Sequence, residues 1–239
     1  MERGLLTPLK KLRRQVFVEM ARVAFETDKS EIKDAIEAIP FKITPGDKPL
    51  YRESIWRERA ICSERLRLAM GLSLRPEDKP VHLTSGLRDS DIADKYYEPP
   101  LMQVIPSACA ACAPNMYKVT DNCRGCVAHP CTEVCPKGAV SIVNGKSFID
   151  QSKCIKCGRC KNVCPYDAIA HHTRPCAEAC GVKAIESDDL GRAKINNDKC
   201  VSCGMCMVSC PFGAIADKSQ FFQLIRALRR GDKIIAEVA

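Results

Sequence analysis

Cys154, Cys157, Cys160 and Cys164, followed by Pro165, stand at the spacing C-x2-C-x2-C-x3-C-P. Cys200, Cys203, Cys206 and Cys210, followed by Pro211, repeat it without deviation. Thiolates at this spacing suit an inorganic cube. Two-residue gaps let three successive cysteines wrap one side of it, while the intervening backbone N–H groups point at its sulfides. The fourth cysteine, held off by three residues and a proline, points away to a second cube. Gly158 and Gly204 each follow the second cysteine of a run and permit close backbone approach. Structural zinc prefers paired C-x2-C knuckles in a tetrahedral site and fits this run poorly.

The spacing is the bacterial ferredoxin run for [4Fe-4S] clusters. Cys123, Cys126, Cys131 and Cys135-Pro136 form a third run with one enlarged gap, C-x2-C-x4-C-x3-C-P. Crossed ligation then gives one cluster Cys123, Cys126, Cys131 and Cys164, and a second Cys154, Cys157, Cys160 and Cys135. The run Cys200–Cys210 needs a partner, and RPCAEACGVKAI supplies only half of one, Cys176 and Cys180. A third cluster takes Cys200, Cys203, Cys206 and Cys180. A fourth takes Cys176 and Cys210 and lacks two ligands, which Cys109-x2-Cys112 provides at the required spacing. Sixteen cysteines close on four [4Fe-4S] clusters. RPCAEAC is then the second half of a split run, with residues 113–175 inserted between its halves.

The chain has 239 residues and 17 cysteines, of which only Cys62 lies outside the segment from Cys109 to Cys210. A secreted disulfide scaffold is normally short and follows a signal peptide. Here the first apolar run is broken by Glu19 and Arg22, and no stretch approaches a membrane span. The expectation is a soluble cytoplasmic protein with reduced, metal-binding thiols. The formal charge of +8 suggests nucleic acid at first sight. Four clusters of two negative charges each would cancel it, so it is poor evidence for such a partner. Aromatic residues are 5% of the chain, too few for an ordinary core around the cysteines, so ligand bonds must do part of the core's work.

Elements must hold these loops. CPKGAV, CPYDAI, CGVKAI and CPFGAI begin at Cys135, Cys164, Cys180 and Cys210 with the same offsets, a fourfold repeat. Before it, Leu5, Leu9, Leu12, Val16 and Met20, then Ile32, Ile36 and Ile39, recur at helical spacing. A further helix is expected from about Tyr51 to Met70, with breaks at Pro40, Pro45-Gly46, Pro49 and Pro76. The charges of this region are expected on a solvated face. Cys62 reads as a small buried hydrophobe, His129 as a surface or supporting residue, His171 and His172 as exposed. KSQFFQLIRALRR reads as an amphipathic helix with Phe221, Leu224, Ile225 and Leu228 inward, stopped by Gly231, and KIIAEVA as the start of a buried strand.

The segment from Ser107-Ala-Cys-Ala-Ala-Cys through CRGCVAHPCTEVCP, the two full runs and RPCAEAC resembles the ferredoxin-like N-terminal part of a monomeric [FeFe]-hydrogenase, of the ferredoxin-rich class called group B. The tail KSQFFQLIRALRRGDKIIAEVA is similar to the helix and strand that lead those enzymes into their catalytic domain. The likeness covers about residues 105–239 closely and the first hundred less specifically. It implies a parent chain whose catalytic domain, absent before Ala239, carries the H-cluster that reduces protons or oxidises hydrogen. Gly181 departs from the pattern, which places proline after the fourth cysteine.

The expected fold class is α+β. Residues 1–104 form a helical region, and 105–216 hold tandem or nested ferredoxin-like units of two [4Fe-4S] clusters. Of these, 113–175 form the inserted unit, and 105–112 with 176–216 the second. Residues 217–239 are a helix and strand leading to the hydrogenase catalytic domain. No nucleotide-binding glycine loop, nucleophile motif or zinc-hydrolase motif is present. The expected function is an electron relay between a redox partner, a ferredoxin or similar carrier, and that domain. The alternative is a free-standing polyferredoxin or an iron–sulfur subunit of a larger oxidoreductase.

Overall fold

A computed structural model of the chain describes residues 6–90 and 99–235. Pro8 opens α1 (Pro8–Glu26) at the first helical position, where its missing N–H is not needed, and the Thr7 hydroxyl caps the Lys10 N–H. Val16, Met20, Val23 and Ala24 form its buried stripe. α2 (Ile32–Ile43) buries Ile32, Ile36 and Ile39. Pro40 lies inside α2 rather than breaking it. It sits in the last turn, and its carbonyl accepts both the backbone N–H and the hydroxyl of Thr44. α3 (Ile55–Ala69) begins four residues later than the sequence pattern suggests. α4 (Leu87–Ser90) is a single turn.

α3 departs from the expected solvated charges. Glu58, Glu64, Arg65 and Arg67 are all buried. Glu58 is held because one carboxylate oxygen accepts the backbone N–H groups of Leu50, Tyr51 and Arg52 at 2.8, 2.5 and 2.7 Å. Each buried charge here answers backbone groups, which a helical-wheel pattern does not reveal.

The chain then runs through β1 (Met102–Val104), a 3-10 turn at Pro106–Ala108, and β2 (Met116–Val119). There follow α5 (Pro130–Glu133), β3 (Val140–Val143), β4 (Lys146–Ile149), α6 (Arg159–Asn162) and β5 (Ile169–His172). Next come α7 (Pro175–Glu178), β6 (Ile185–Ser187), β7 (Ala193–Ile195), α8 (Met205–Ser209) and β8 (Ile215–Asp217). β2 pairs antiparallel with β5, Met116 opposite His172, and encloses the β3–β4 hairpin. That hairpin turns at Asn144-Gly145, both with positive φ, as a two-residue turn requires. β1 pairs antiparallel with β8, Met102 opposite Asp217, and its companion is the β6–β7 hairpin. The β1–β8 pair therefore spans the whole segment from β2 to β5. α5 packs on α6, and α7 on α8.

α9 (Phe221–Arg230) packs against α1 and ends at Gly231, whose φ of 76° suits a left-handed cap. Its inward side is Phe221, Phe222 and Ile225, while Leu224 and Leu228 are exposed, which corrects the expected stripe. The expected buried strand is also corrected where it is described. Lys233, Ile234 and Ile235 form no strand, and Ile235 is 83% exposed. Ala236–Ala239, like Leu5, lie outside the described residues.

Candidate metal centres

Four loops share one build. The residue before the second cysteine of each C-x2-C is left-handed: Ala111, Gly125, Lys156 and Ser202, with φ of 47°, 60°, 60° and 55°. Three of these are not glycine, and such a conformation costs about 1–2 kcal/mol without a reason to hold it. The third cysteines, Cys131, Cys160, Cys176 and Cys206, each sit on a one-turn helix and are 6–8% exposed. Three residues after each fourth cysteine the backbone is left-handed again, at Gly138, Asp167, Lys183 and Gly213. That crease turns the next N–H onto the sulfur. Ala139, Ala168, Ala184 and Ala214 donate to Cys135, Cys164, Cys180 and Cys210 Sγ at 3.2, 3.4, 3.2 and 3.3 Å.

The thiols gather in distinct groups. Cys123, Cys126, Cys131 and Cys164 line one cavity with Gly125 and Ser147. Cys135, Cys154, Cys157 and Cys160 line another with Tyr117 and Ile149. Cys109, Cys176, Cys200 and Cys206 pack with Met102 and Ile215, and Cys109 also packs with Cys210. Burial pushes the Cys176 thiol up to about 11; Cys210, Cys109 and Cys112 add to this and Arg174 opposes it. Burial also raises Cys206, chiefly against the Met207 N–H, with Cys200 and Cys180 as its neighbouring thiols. Cys157 and Cys203, the second cysteines of the two full runs, are exposed.

Cys109 stands where Cys123 stands in the other unit. The N–H of Ser147, on β4, donates to Cys123 Sγ at 3.4 Å, and the N–H of Ala193, on β7, donates to Cys109 Sγ at 3.4 Å. Ser147 and Ala193 occupy the same register of their hairpins, opposite Ile142 and Ser187.

Arg174 precedes Pro175-Cys176, and the cysteine spacing assigns it no role. It is 5% exposed and donates to the Cys112 carbonyl at 2.9 Å, Gly191 O at 2.7 Å, Glu186 O at 3.0 Å and Ser187 Oγ at 3.0 Å. It thus joins the residue where the chain leaves the outer unit to the point where it returns. Its position just before Pro175-Cys176 was the available signal. Gly158 is packed against Tyr117, whose ring stacks on His171 at 4.5 Å. Cys62 is 1% exposed within α3, and burial pushes its thiol up to about 12. His129 is half-buried ahead of α5, and His171 and His172 are exposed.

Among the described residues no three His, Cys, Asp or Glu close on a point as the ligands of one ion do. The thiols surround cavities instead. Four sulfurs with N–H donors and no carboxylate are the donor set that an iron–sulfur cluster takes. No helix among the described residues is long and apolar enough to cross a membrane.

Residues 148–170 match the 4Fe-4S binding domain family, and residues 170–221 the LdpA Fe-S cluster-binding domain. The chain is 36% identical to a ferredoxin of Methanocaldococcus jannaschii over 80 residues, 28% of this chain and 48% of the relative. It is 43% identical to the electron transport protein HydN of Escherichia coli K12 over 53 residues, 22% of this chain and 30% of that one. Against the ferredoxin 7Fe of Hydrogenibacillus schlegelii it is 40% identical over 55 residues, 23% of this chain and 70% of the relative. The chain spans about half the length of the first of the relatives it matches.

Proposed function

From a chain that belongs to the ferredoxin-like iron–sulfur electron-transport proteins, we propose a relay of four [4Fe-4S] clusters in two nested units. The ligand sets are Cys123, Cys126, Cys131 and Cys164; Cys135, Cys154, Cys157 and Cys160; Cys180, Cys200, Cys203 and Cys206; and Cys109, Cys112, Cys176 and Cys210. The observation that carries the fourth set is the matched pair of N–H···S bonds, Ala193 to Cys109 and Ser147 to Cys123. Bound clusters supply one-electron transfer at potentials set by their surroundings. The chain's own residues hold the thiolates, donate N–H groups to them and exclude water from Cys131, Cys160, Cys176, Cys206 and Cys210. Exposed Cys157 and Cys203 mark where a reduced carrier protein would approach.

The finer reading is transfer to or from the H-cluster domain of an [FeFe]-hydrogenase, in the cytoplasm. It rests on the resemblance of the split run and the tail. The second reading, a polyferredoxin or an iron–sulfur subunit of a larger oxidoreductase, is favoured by relatives that carry the names ferredoxin and electron transport protein. Anaerobic purification with iron and sulfide analysis tests the relay. The expectation is about sixteen irons per chain, four per cluster, and a count near eight refutes it. Cys109→Ser, Cys112→Ser and Cys176→Ser should each perturb the same EPR signal; different signals would refute the pairing. Electron transfer from the reduced protein to an isolated hydrogenase catalytic domain separates the two readings.

A further inference from the structure

The helical region places Arg65, Arg13 and Arg52 near one centre, Arg52 donating to the Ala108 and Phe212 carbonyls at 3.3 and 2.9 Å, beside Cys109 and Cys210. Arg65 of α3 is 6% exposed, and its guanidinium donates to the Gly213 carbonyl, three residues beyond Cys210. Its Nε has no hydrogen-bond partner. Arg13 of α1, half-buried, lines one cavity with Arg65 and donates to Ile215 O at 3.1 Å and to Met207 O at 3.5 Å. Cys210 neighbours both, 7% exposed and packed with Ile61 and Leu68 of α3.

A buried guanidinium needs a counter-charge, since desolvation of an unpaired ion costs several kcal/mol. Arg65 faces Arg13, Tyr51, Cys62 and Cys210 and shares a cavity with Asp217, but among the described residues it forms no ion pair with a carboxylate. Burial pushes both the Tyr51 phenol and the Cys62 thiol up to about 12, so both are neutral near pH 7. Arg65 itself, lowered to about 10 by burial and by Arg13, stays cationic there. Arg13 faces Cys210 and Asp217, and the latter is exposed and screened by water. Cys210 is the buried group that neighbours both arginines, and it balances them as a thiolate on a cluster. Such a four-thiolate cluster is dianionic when oxidised and trianionic when reduced. Nearby cations stabilise the reduced form more, which raises the potential. Arg174, beside Cys112 and Cys176, adds a further cation to the same centre.

We propose that Arg65 and Arg13 raise the potential of the centre held by Cys109, Cys112, Cys176 and Cys210 above that of the other three, making it the electron sink of the relay. The inference rests on the four-cluster reading. One electron passes from a reduced neighbouring centre, which is oxidised, to this one, which is reduced, with no bond made or broken. The two arginines are positioning residues. The helical region is then an electrostatic part of the relay rather than a cover.

The test is an EPR-monitored redox titration of the full chain and its Arg65→Met, Arg65→Lys and Arg13→Gln variants, with Cys176→Ser identifying the signal. In Arg65→Met, at fixed potential, the ratio of reduced to oxidised should fall about tenfold for that signal only, a midpoint lower by about 59 mV for one electron. Arg13→Gln should shift it in the same direction by less, and Arg65→Lys should restore most of the effect. Fully loaded variants with an unmoved midpoint, or an equal shift of all signals, overturn the proposal. Should Arg65→Met fail to assemble this centre, Arg13→Gln decides: a lowered midpoint supports the proposal and an unchanged one overturns it. Wild-type protein with iron near eight per chain overturns the four-cluster reading itself, a result distinct from full loading with an unmoved potential.

Discussion

The proposed inner unit, residues 113–175, and the proposed outer one, 105–112 with 176–216, repeat the same loop geometry in different surroundings. In the inner unit the flanking strands β2 and β5 and the hairpin between them are continuous in sequence, so local contacts close it. In the outer unit β1 and β8 are separated by the whole inner unit, and closure falls to the β1–β8 ladder and to Arg174. The fourth cysteines show the consequence. Cys135, Cys164 and Cys180 are half-buried, whereas Cys210 alone of the four is buried, against α3. One local geometry thus meets two electrostatic environments, and the environment comes from outside the repeat.

Removing the clamp should break the comparison most. In Arg174→Met the carbonyls of Cys112, Glu186 and Gly191 lose a buried donor, at about 1–3 kcal/mol for each group left unpaired. Iron content should then fall by about half, with the inner unit's EPR signals retained; loss of all signals would show that the units do not load separately. A paired change at one loop position is gentler. Gly158→Ala and Gly204→Ala share a left-handed φ, costing each about 1–2 kcal/mol. Only at Gly158 would the new methyl stand 2.7 Å from the Tyr117 hydroxyl, while at Gly204 the nearest atom is Met207 Cε at 4.0 Å. Thermal unfolding should therefore show the larger drop for Gly158→Ala, and equal drops would remove Tyr117 from the account. Lys199→Ala should have the smallest effect. Its 3.5 Å pair with Glu186 is exposed, and neither melting temperature nor iron content should move.

The cysteine spacing made the iron–sulfur character legible, because thiolates on short loops can reach a cube in few ways; the grouping and the split run remain part of the proposal. Helices α1, α2 and α9 were legible from apolar periodicity, but α9's facing was not. Leu224 and Leu228 lie on the same helical side as Phe221 in sequence, and only the packing of α9 on α1 decides which of them is covered. The buried charges of α3 were illegible for a related reason. Glu58 and Arg65 look like solvent-facing residues until the loop at Leu50–Arg52 and the turn at Gly213 bring their backbone groups to them. Arg174 has no role visible in its motif, since its partners lie 12 to 62 residues away.

By itself, then, the sequence determined what each loop can hold, since left-handed creases, N–H···S bonds and thiol spacing are properties of a few consecutive residues. Tertiary structure alone decided which cysteines are buried and which charges surround them. Those depend on segments brought together across the chain, Arg13 and Arg65 onto Cys210 and Arg174 onto Cys112, and charge acts through space rather than along sequence.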